Sequence, residues 1–319
     1  MPREYDNLIC YKQLSIDDHG KLKFFLEKHS TKEGTWGKLS LNEGEIDFIF
    51  LDGLGQELSR IRLDKNNQQL SIPPASWHKI IPISATFNAR LEFYCKPHRY
   101  FNKKYGLTEV HRDLLYVYHT YLSHSGPLTT LDIGCGSGRN LLYLAQLGHA
   151  VTGIDINQSA LENIQVIAQK ENLSSINTLS QDLNQPQSLT KNHYDFVCST
   201  VTLQFLNAFC IPALLTELQE ATKKNGYHFL VFPVQSDRYS LPTSFTFLPK
   251  QEELYHFYQD RGWSILEYKE TVGHLHKQDE LGRPMQGLFA LLLARKFYKV
   301  RVHKIRTYEK PQDRGKKCF

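Results

Sequence analysis

Leu131-Asp132-Ile133-Gly134-Cys135-Gly136-Ser137-Gly138-Arg139-Asn140 decides how this chain folds. An apolar run meets three glycines at alternate positions and then passes into residues 139–147, whose apolar spacing is helical. Glycines at a strand-to-helix turn permit positive φ and close backbone approach, and the helix that follows offers free N–H groups to a ligand. A dinucleotide fingerprint, G-x-G-x-x-G, would need its third glycine at position 139, which holds Arg139. The spacing is wrong for NAD. Asp132, inside the strand, would also repel a pyrophosphate, whereas beside a sulfonium and an amino group it is favourable.

Outward from this turn, strands and helices alternate. Strands are expected over 128–133, 150–154, near 176–179, 195–200 and 227–232, with helices over 139–147, 158–171 and 211–222. That rhythm implies βαβ units and a mostly parallel sheet. Residues 263–268 and 288–294 read as strands joined without a long helix, which suggests an antiparallel edge. In such a sheet ligands bind at the carboxyl ends of the strands. Asp155, with Ile156 beside it, ends the second strand, where an acid accepts the two hydroxyls of a ribose. Gln181-Asp182-Leu183 follows the third strand, where a side chain and a backbone N–H can read an adenine edge, and Ser199-Thr200 ends the fourth under the same site. Asp132 with Gly134, Gly136 and Gly138, then Asp155, then Asp182, in order, point to a nucleoside-type cofactor.

The first part of the chain differs. Ile46, Phe48 and Phe50 alternate with polar positions before Asp52-Gly53, and Leu91, Phe93 and Cys95 do the same, which argues for a small all-β sandwich or barrel, cupin-like in outline, over 1–97. Trp36, Trp77 and His78 suggest its packed interior. The α/β part is expected over 98–296 and a basic tail over 297–319. The chain has 319 residues and a net charge of +5, but Lys296 to Phe319 carries nine Lys/Arg against two Asp/Glu, which leaves −2 for the rest. The body therefore lacks the basic face of a nucleic-acid binder, and the tail reads as a solvated extension. The longest apolar run, 288–294, is far below the ~18 residues that cross a bilayer. No secretory segment opens the sequence, and six scattered cysteines form no C-x-x-C pair, so reduced thiols and the cytoplasm are expected.

Residues 100–296 resemble a class I S-adenosylmethionine-dependent methyltransferase with a Rossmann-like fold, and more narrowly the tellurite-resistance (TehB) family. The segments that carry this are Tyr100-Phe101, Lys104-Tyr105-Gly106-Leu107-Thr108, the glycine loop, Ser199-Thr200-Val201 and Gly273-His274-Leu275-His276, with Gly34-Thr35-Trp36-Gly37-Lys38-Leu39 and Trp77-His78 in the extension carried by longer members. The resemblance implies methyl transfer to tellurite or selenium oxyanions from S-adenosyl-L-methionine held by the glycine loop with Arg139 and Asn140, by Asp155 and by Asp182-Leu183. Tyr105 and His111 either close over the cofactor or pack the connecting helix.

For an oxyanion acceptor, cationic donors near the methyl group would bind the oxygens and direct the chalcogen lone pair. His274, His276, Lys277 and Arg283 cluster ahead of the last strand. In the family's G-x-L-H motif the histidine and the basic residues after it are associated with catalysis, and His276 matches that histidine. Lys277 stands where arginine is common, which keeps the charge and loses the bidentate fork. Arg283 sits one step before the position of the family's second arginine. No metal is expected, because a cupin-type site needs several histidines and a glutamate and only His78 is well placed. Cys135 and Cys198 read as buried packing residues. Methylation of a thiol, a thiopurine or RNA is the competing activity. The RNA option lacks both a Pro-Pro-aromatic motif, with Ser199-Thr200-Val201-Thr202 in its place, and a Pro-Cys nucleophile. The β half is expected to support the fold or to pair two copies as a homodimer.

Overall fold

The computed structural model describes residues 7–17, 22–239, 241–278 and 282–297, so the tail beyond Phe297 lies outside the described residues. The first eight strands are β1 (Ile9–Asp17), β2 (His29–Ser30), β3 (Trp36–Glu43), β4 (Ile46–Leu51), β5 (Glu57–Leu63), β6 (Gln69–Ile72), β7 (Trp77–Pro82) and β8 (Asn88–Cys95), with a short helix α1 (Leu22–Leu26) after β1. They form two four-stranded sheets, β1-β8-β3-β6 and β2-β7-β4-β5, with every pair antiparallel. Phe48, Leu63 and Ile80 from one sheet meet Ile16, Leu39 and Leu91 from the other in a shared core. This is the expected sandwich, with one correction. Trp77 is 40% exposed on the outside, under the Lys28 ammonium at 4.7 Å, while His78 is buried. Consecutive strand residues point to opposite faces, so only one of the two can pack inward.

A short helix α2 (Tyr100–Tyr105) and α3 (Arg112–Val117), prolonged by a π-helical turn at Tyr118–Leu122, lead into the second half. There follow β9 (Thr129–Ile133), α4 (Arg139–Gln146), β10 (Ala150–Asp155), α5 (Gln158–Lys170), β11 (Ile176–Ser180), β12 (Tyr194–Thr200), α6 (Ile211–Ala221), β13 (Thr222–Pro233), α7 (Glu253–Asp260), β14 (Ser264–Gln278) and β15 (Pro284–Arg295). The sheet order is β11-β10-β9-β12-β13-β15-β14. The first five strands are parallel, and β15 runs antiparallel to both β13 and β14, which is the expected antiparallel edge. Chain order reverses beside β9, with β10 on one side and β12 on the other. In an open α/β sheet that is where the carboxyl-end crevice forms. Two apolar clusters cover the two faces of the sheet. Leu141, Ile164 and Phe196 belong to one, and Leu131, Leu215 and Phe232 to the other.

Two elements differ from expectation. No periodicity foreshadows α7: it has eight residues, of which only Leu254 and Tyr258 are buried, too few for a helical repeat to stand out. The edge hairpin is also longer, since β14 continues through Gly273 to Gln278. Its polar second half gives no alternation signal and is held by backbone pairing with β15. His274 and His276 therefore belong to a strand and not to a loop.

Phe229 is fully buried in β13 and stacks on Phe196 with ring centroids 6.5 Å apart. Phe229→Ala is expected to cost about 3–5 kcal/mol, read as a lower urea midpoint for the α/β half; an unchanged midpoint would contradict this packing.

Candidate active site

The turn from β9 to α4 shows why its sequence is as it is. Gly134 has φ +69°, and a Cβ there would lie 2.1 Å from the Thr202 side chain, so the turn closes against the loop after β12 only with glycine. Gly136 has φ +53°, and a Cβ there would meet nothing within 4 Å, which leaves its backbone open to the crevice. Gly138 caps α4. Val201, a β-branched residue, has φ +59°, an unusual and strained conformation that aims the loop after β12 across the same crevice.

Two adjoining cavities occupy the carboxyl end of the sheet. The smaller, of about 350 Å³, is lined by Asp155, Ile156, Asp182 and Leu183; the larger, of about 610 Å³, by Asp132, Gly136, Arg139, Asn140 and Thr200. They share Gly134, Val201, Thr202 and Phe205, so they are two lobes of one site. Backbone N–H groups of Gly136 and Asn157 donate to the Asp155 carboxylate at 2.8 and 2.9 Å and fix it at the rim. Asp182 Oδ1 accepts from the backbone and side-chain nitrogens of Asn184, both at 2.9 Å, which orients that carboxylate too.

Asp132 is the unusual group. It is 2% exposed, its Oδ1 accepts a weak bond from the Cys198 thiol at 3.5 Å, and its Oδ2 is buried with no hydrogen-bond partner among the described residues. Burial raises its pKa from 3.8 to about 7, opposed by the Cys198 bond and the charge of Arg139. An orphan carboxylate oxygen in the wall of a cavity calls for a cationic donor from a ligand, which an amino group supplies. Across the lobe, the Arg139 guanidinium is half-buried, reaches Thr200 Oγ1 only at 3.5 Å, and has no carboxylate ion pair among the described residues. It therefore suits an anionic group. Asn140 ties the wall together, donating to Thr200 Oγ1 at 3.0 Å and accepting from the His111 backbone at 3.1 Å. The His111 Nδ1 accepts from the Asp113 N–H, so Nε2 carries the ring proton. Burial and Arg139 hold this imidazole neutral, with a pKa of about 4. Burial likewise keeps the Cys135 and Cys198 thiols protonated, which removes them as nucleophiles.

Of the residues the sequence singled out, Asp132, Gly134, Gly136, Arg139, Asn140, Asp155, Ile156, Asp182, Leu183 and Thr200 line the two lobes. Tyr105 does not: its hydroxyl bonds Glu171 and its ring stacks on Phe101. Ser199 is buried behind the wall and donates to the Ile133 carbonyl at 3.2 Å. Arg283 is exposed and outside the lining, and the side chains of His276 and Lys277 lie outside the described ones. Sequence reasoning missed the apolar surround, Phe205, Phe245 and Phe289. They come from three distant segments and carry no common motif.

Because the folded Asp132 carboxyl binds its proton more tightly than the unfolded one, this group's contribution to stability is fully present below pH 3.8 and is lost as the pH rises through about 7. Asp132→Asn is expected to raise the thermal midpoint of the ligand-free protein by a few degrees at pH 8 and to flatten that pH dependence. An unchanged midpoint at pH 8 would contradict the buried charge.

A sequence profile described as tellurite resistance protein TehB matches residues 93–293, and one described as TehB-like domain matches 23–91. A Haemophilus influenzae protein named probable S-adenosyl-L-methionine-dependent methyltransferase TehB is 38% identical over 292 residues, covering 91% of this chain and 99% of its own length. An Eikenella corrodens protein named hemagglutinin 1 is 32% identical over 242 residues, covering 76% and 78%. The crystal structure of TehB from Haemophilus influenzae superimposes with a TM-score of 0.84 at 36% identity, over 91% of this chain and 99% of that one. With both halves matched and the two-lobed site built around buried and rim carboxylates, the chain belongs to the TehB family and is an S-adenosyl-L-methionine-dependent methyltransferase.

Proposed function

We propose that the chain methylates tellurite, and selenite by the same chemistry, and that it does so in the cytoplasm. The observation that carries this reading is the wall opposite the glycine loop. Beyond the end of β13 the β14–β15 hairpin runs on and lines the larger lobe with Thr271, Gly273, His274 and Leu275. His276 and Lys277 follow directly in the same strand. A chalcogen oxyanion needs cationic N–H donors facing the methyl donor, and this arm brings His274 into the lining and His276 and Lys277 next to it along the strand.

In this reading Asp155 accepts the ribose hydroxyls, Ile156, Asp182 and Leu183 enclose the adenine, Asp132 Oδ2 accepts from the amino group and Arg139 binds the carboxylate. When bound, the cofactor supplies a methyl group on a cationic sulfur, an electrophile that needs no enzyme nucleophile. The protein's task is alignment and exclusion of water. Phe205 and Phe245 meet edge to face at 5.3 Å over the site, and Phe289 and Val231 extend the apolar surround. His276, with Lys277 as an accessory charge, orients the oxyanion, while Arg283, exposed and outside the lining, takes no part in holding it. The five described cysteines are free thiols, which fits a reducing compartment.

Asp155→Ala removes two charge-assisted hydrogen bonds to the ribose and is expected to weaken S-adenosylmethionine by about 100-fold in calorimetry. Unchanged affinity would refute that role. His276→Ala is expected to keep cofactor affinity and to slow tellurite methylation by about 100-fold. With labelled cofactor and a panel of tellurite, selenite, thiols, thiopurines and RNA, the methyl is expected on the oxyanion; label on another acceptor alone would overturn the proposal.

A further inference from the structure

The β-sandwich contains a cavity of its own, of about 480 Å³, that shares no lining residue with the methyltransferase site. Its floor is apolar, made by Leu14, Ile72, Leu91 and Phe93, with Phe24 and Phe25 of α1 alongside. Three lysines line it as well: Lys12 from β1, Lys32 from the segment after β2 and Lys103 from α2. Among the described residues no carboxylate lines this cavity, and none forms an ion pair with these lysines. The polar contact of the Lys103 ammonium is the Glu33 carbonyl at 3.4 Å. Desolvation first, then the charges of Arg99 and Lys32, lower the pKa of Lys103 against the opposing pull of Cys95 and Glu109.

His29 and His78 add a second, independent feature. They face each other as a registered pair between β2 and β7, with ring centroids 4.2 Å apart. The Nδ1 of His29 lies 2.9 Å from the Glu27 carbonyl, and that of His78 lies 3.0 Å from the Ser76 carbonyl. A carbonyl only accepts, so each Nδ1 carries the hydrogen. Burial lowers both pKa values, that of His78 to about 4, so both rings are neutral at pH 7 and each Nε2 presents a lone pair. No described residue donates to either Nε2, and both rings line the cavity, so a ligand that carries a hydrogen-bond donor can meet them. The pair does not make a cation site. The rings meet edge to face at 69°, three ammonium groups share the cavity, and no group of three ligating side chains occurs among the described residues.

From this juxtaposition of a cationic rim, an apolar floor and two neutral imidazoles in the lining, we propose that the β half binds an amphipathic organic anion, a flat apolar acid whose carboxylate meets the lysines and whose hydroxyl donates to His29 or His78. The size of the cavity suits a small ligand of this kind. Lys103 belongs to α2, which leads directly to Thr108 and His111 of the methyltransferase site, so the two sites share one connecting segment.

The test is calorimetry on the full chain saturated with S-adenosylhomocysteine, which occupies the other site. The probes are 4-hydroxycinnamate, cinnamate, the uncharged 4-hydroxycinnamamide and the cation tyramine. The expected result is one site per chain with the order hydroxy acid, then plain acid, then amide, and no binding of tyramine. The Lys32→Met/Lys103→Met variant is expected to lose about tenfold or more for both acids, while its S-adenosylhomocysteine affinity stays unchanged and reports intact folding. Phe93→Trp, which fills the floor, is expected to abolish binding. Failure of both acids to bind, equal binding of amide and acid, or undiminished acid binding by the lysine variant would each overturn the proposal.

Discussion

A single buried carboxylate oxygen organises this molecule. Asp132 Oδ2 lies at the end of β9 without a partner among the described residues, and burial alone would favour the neutral acid there. Replacing it by an apolar residue would make a simpler core. A ligand that supplies a positive donor would complete this carboxylate, and the surrounding elements match that arrangement. Gly134 lets the loop after β12 close to within contact of the β9 turn, Gly136 keeps its backbone open to the crevice, and Asp155 is held at the rim by two backbone N–H groups. Arg139 completes the pattern, a cation with no carboxylate partner among the described residues, facing the same lobe as the orphan acid. The two carry opposite charges on one lobe, as a zwitterion would require.

The division of labour between the two halves also follows from charge and shape. The methyltransferase half places acids along the carboxyl ends of β9, β10 and β11 and ends in a hairpin whose His274 lines the opposite wall. The sandwich half does the reverse, setting lysines around an apolar interior and keeping its histidines neutral. One half is thus polarised for a cationic cofactor and the other for an anionic, partly apolar ligand. They meet at α2, whose Tyr100 and Tyr105 hydroxyls both bond Glu171, with the Lys104 ammonium beside them.

Much of this is legible in the sequence because the signals are local. The βαβ rhythm, the alternating glycines and the acids after three successive strands need only short windows, and the structure gathers Asp132, Asp155 and Asp182 at one sheet edge as their spacing implies. What stays hidden depends on long-range geometry. The positive φ of Val201 follows from the closure of its loop on the glycine turn and not from any preference of valine. Phe205, Phe245 and Phe289 become neighbours only once the sheet forms. The polar half of β14 is held by its pairing with β15 and has no apolar pattern to reveal it. Tyr105 has the look of a site residue in its motif, yet Glu171, 66 positions away, takes its hydroxyl. His29 gains its meaning only from its register opposite His78.

The reading proposed for the methyltransferase half turns on Asp132 Oδ2 as the acceptor for the amino group of the bound cofactor. The most direct measurement is a crystal structure of the complex with S-adenosylhomocysteine. The expected result is the amino nitrogen within about 3.2 Å of Asp132 Oδ2, with the ribose hydroxyls on Asp155. An amino group held elsewhere, with Asp132 Oδ2 still unpartnered, would contradict it.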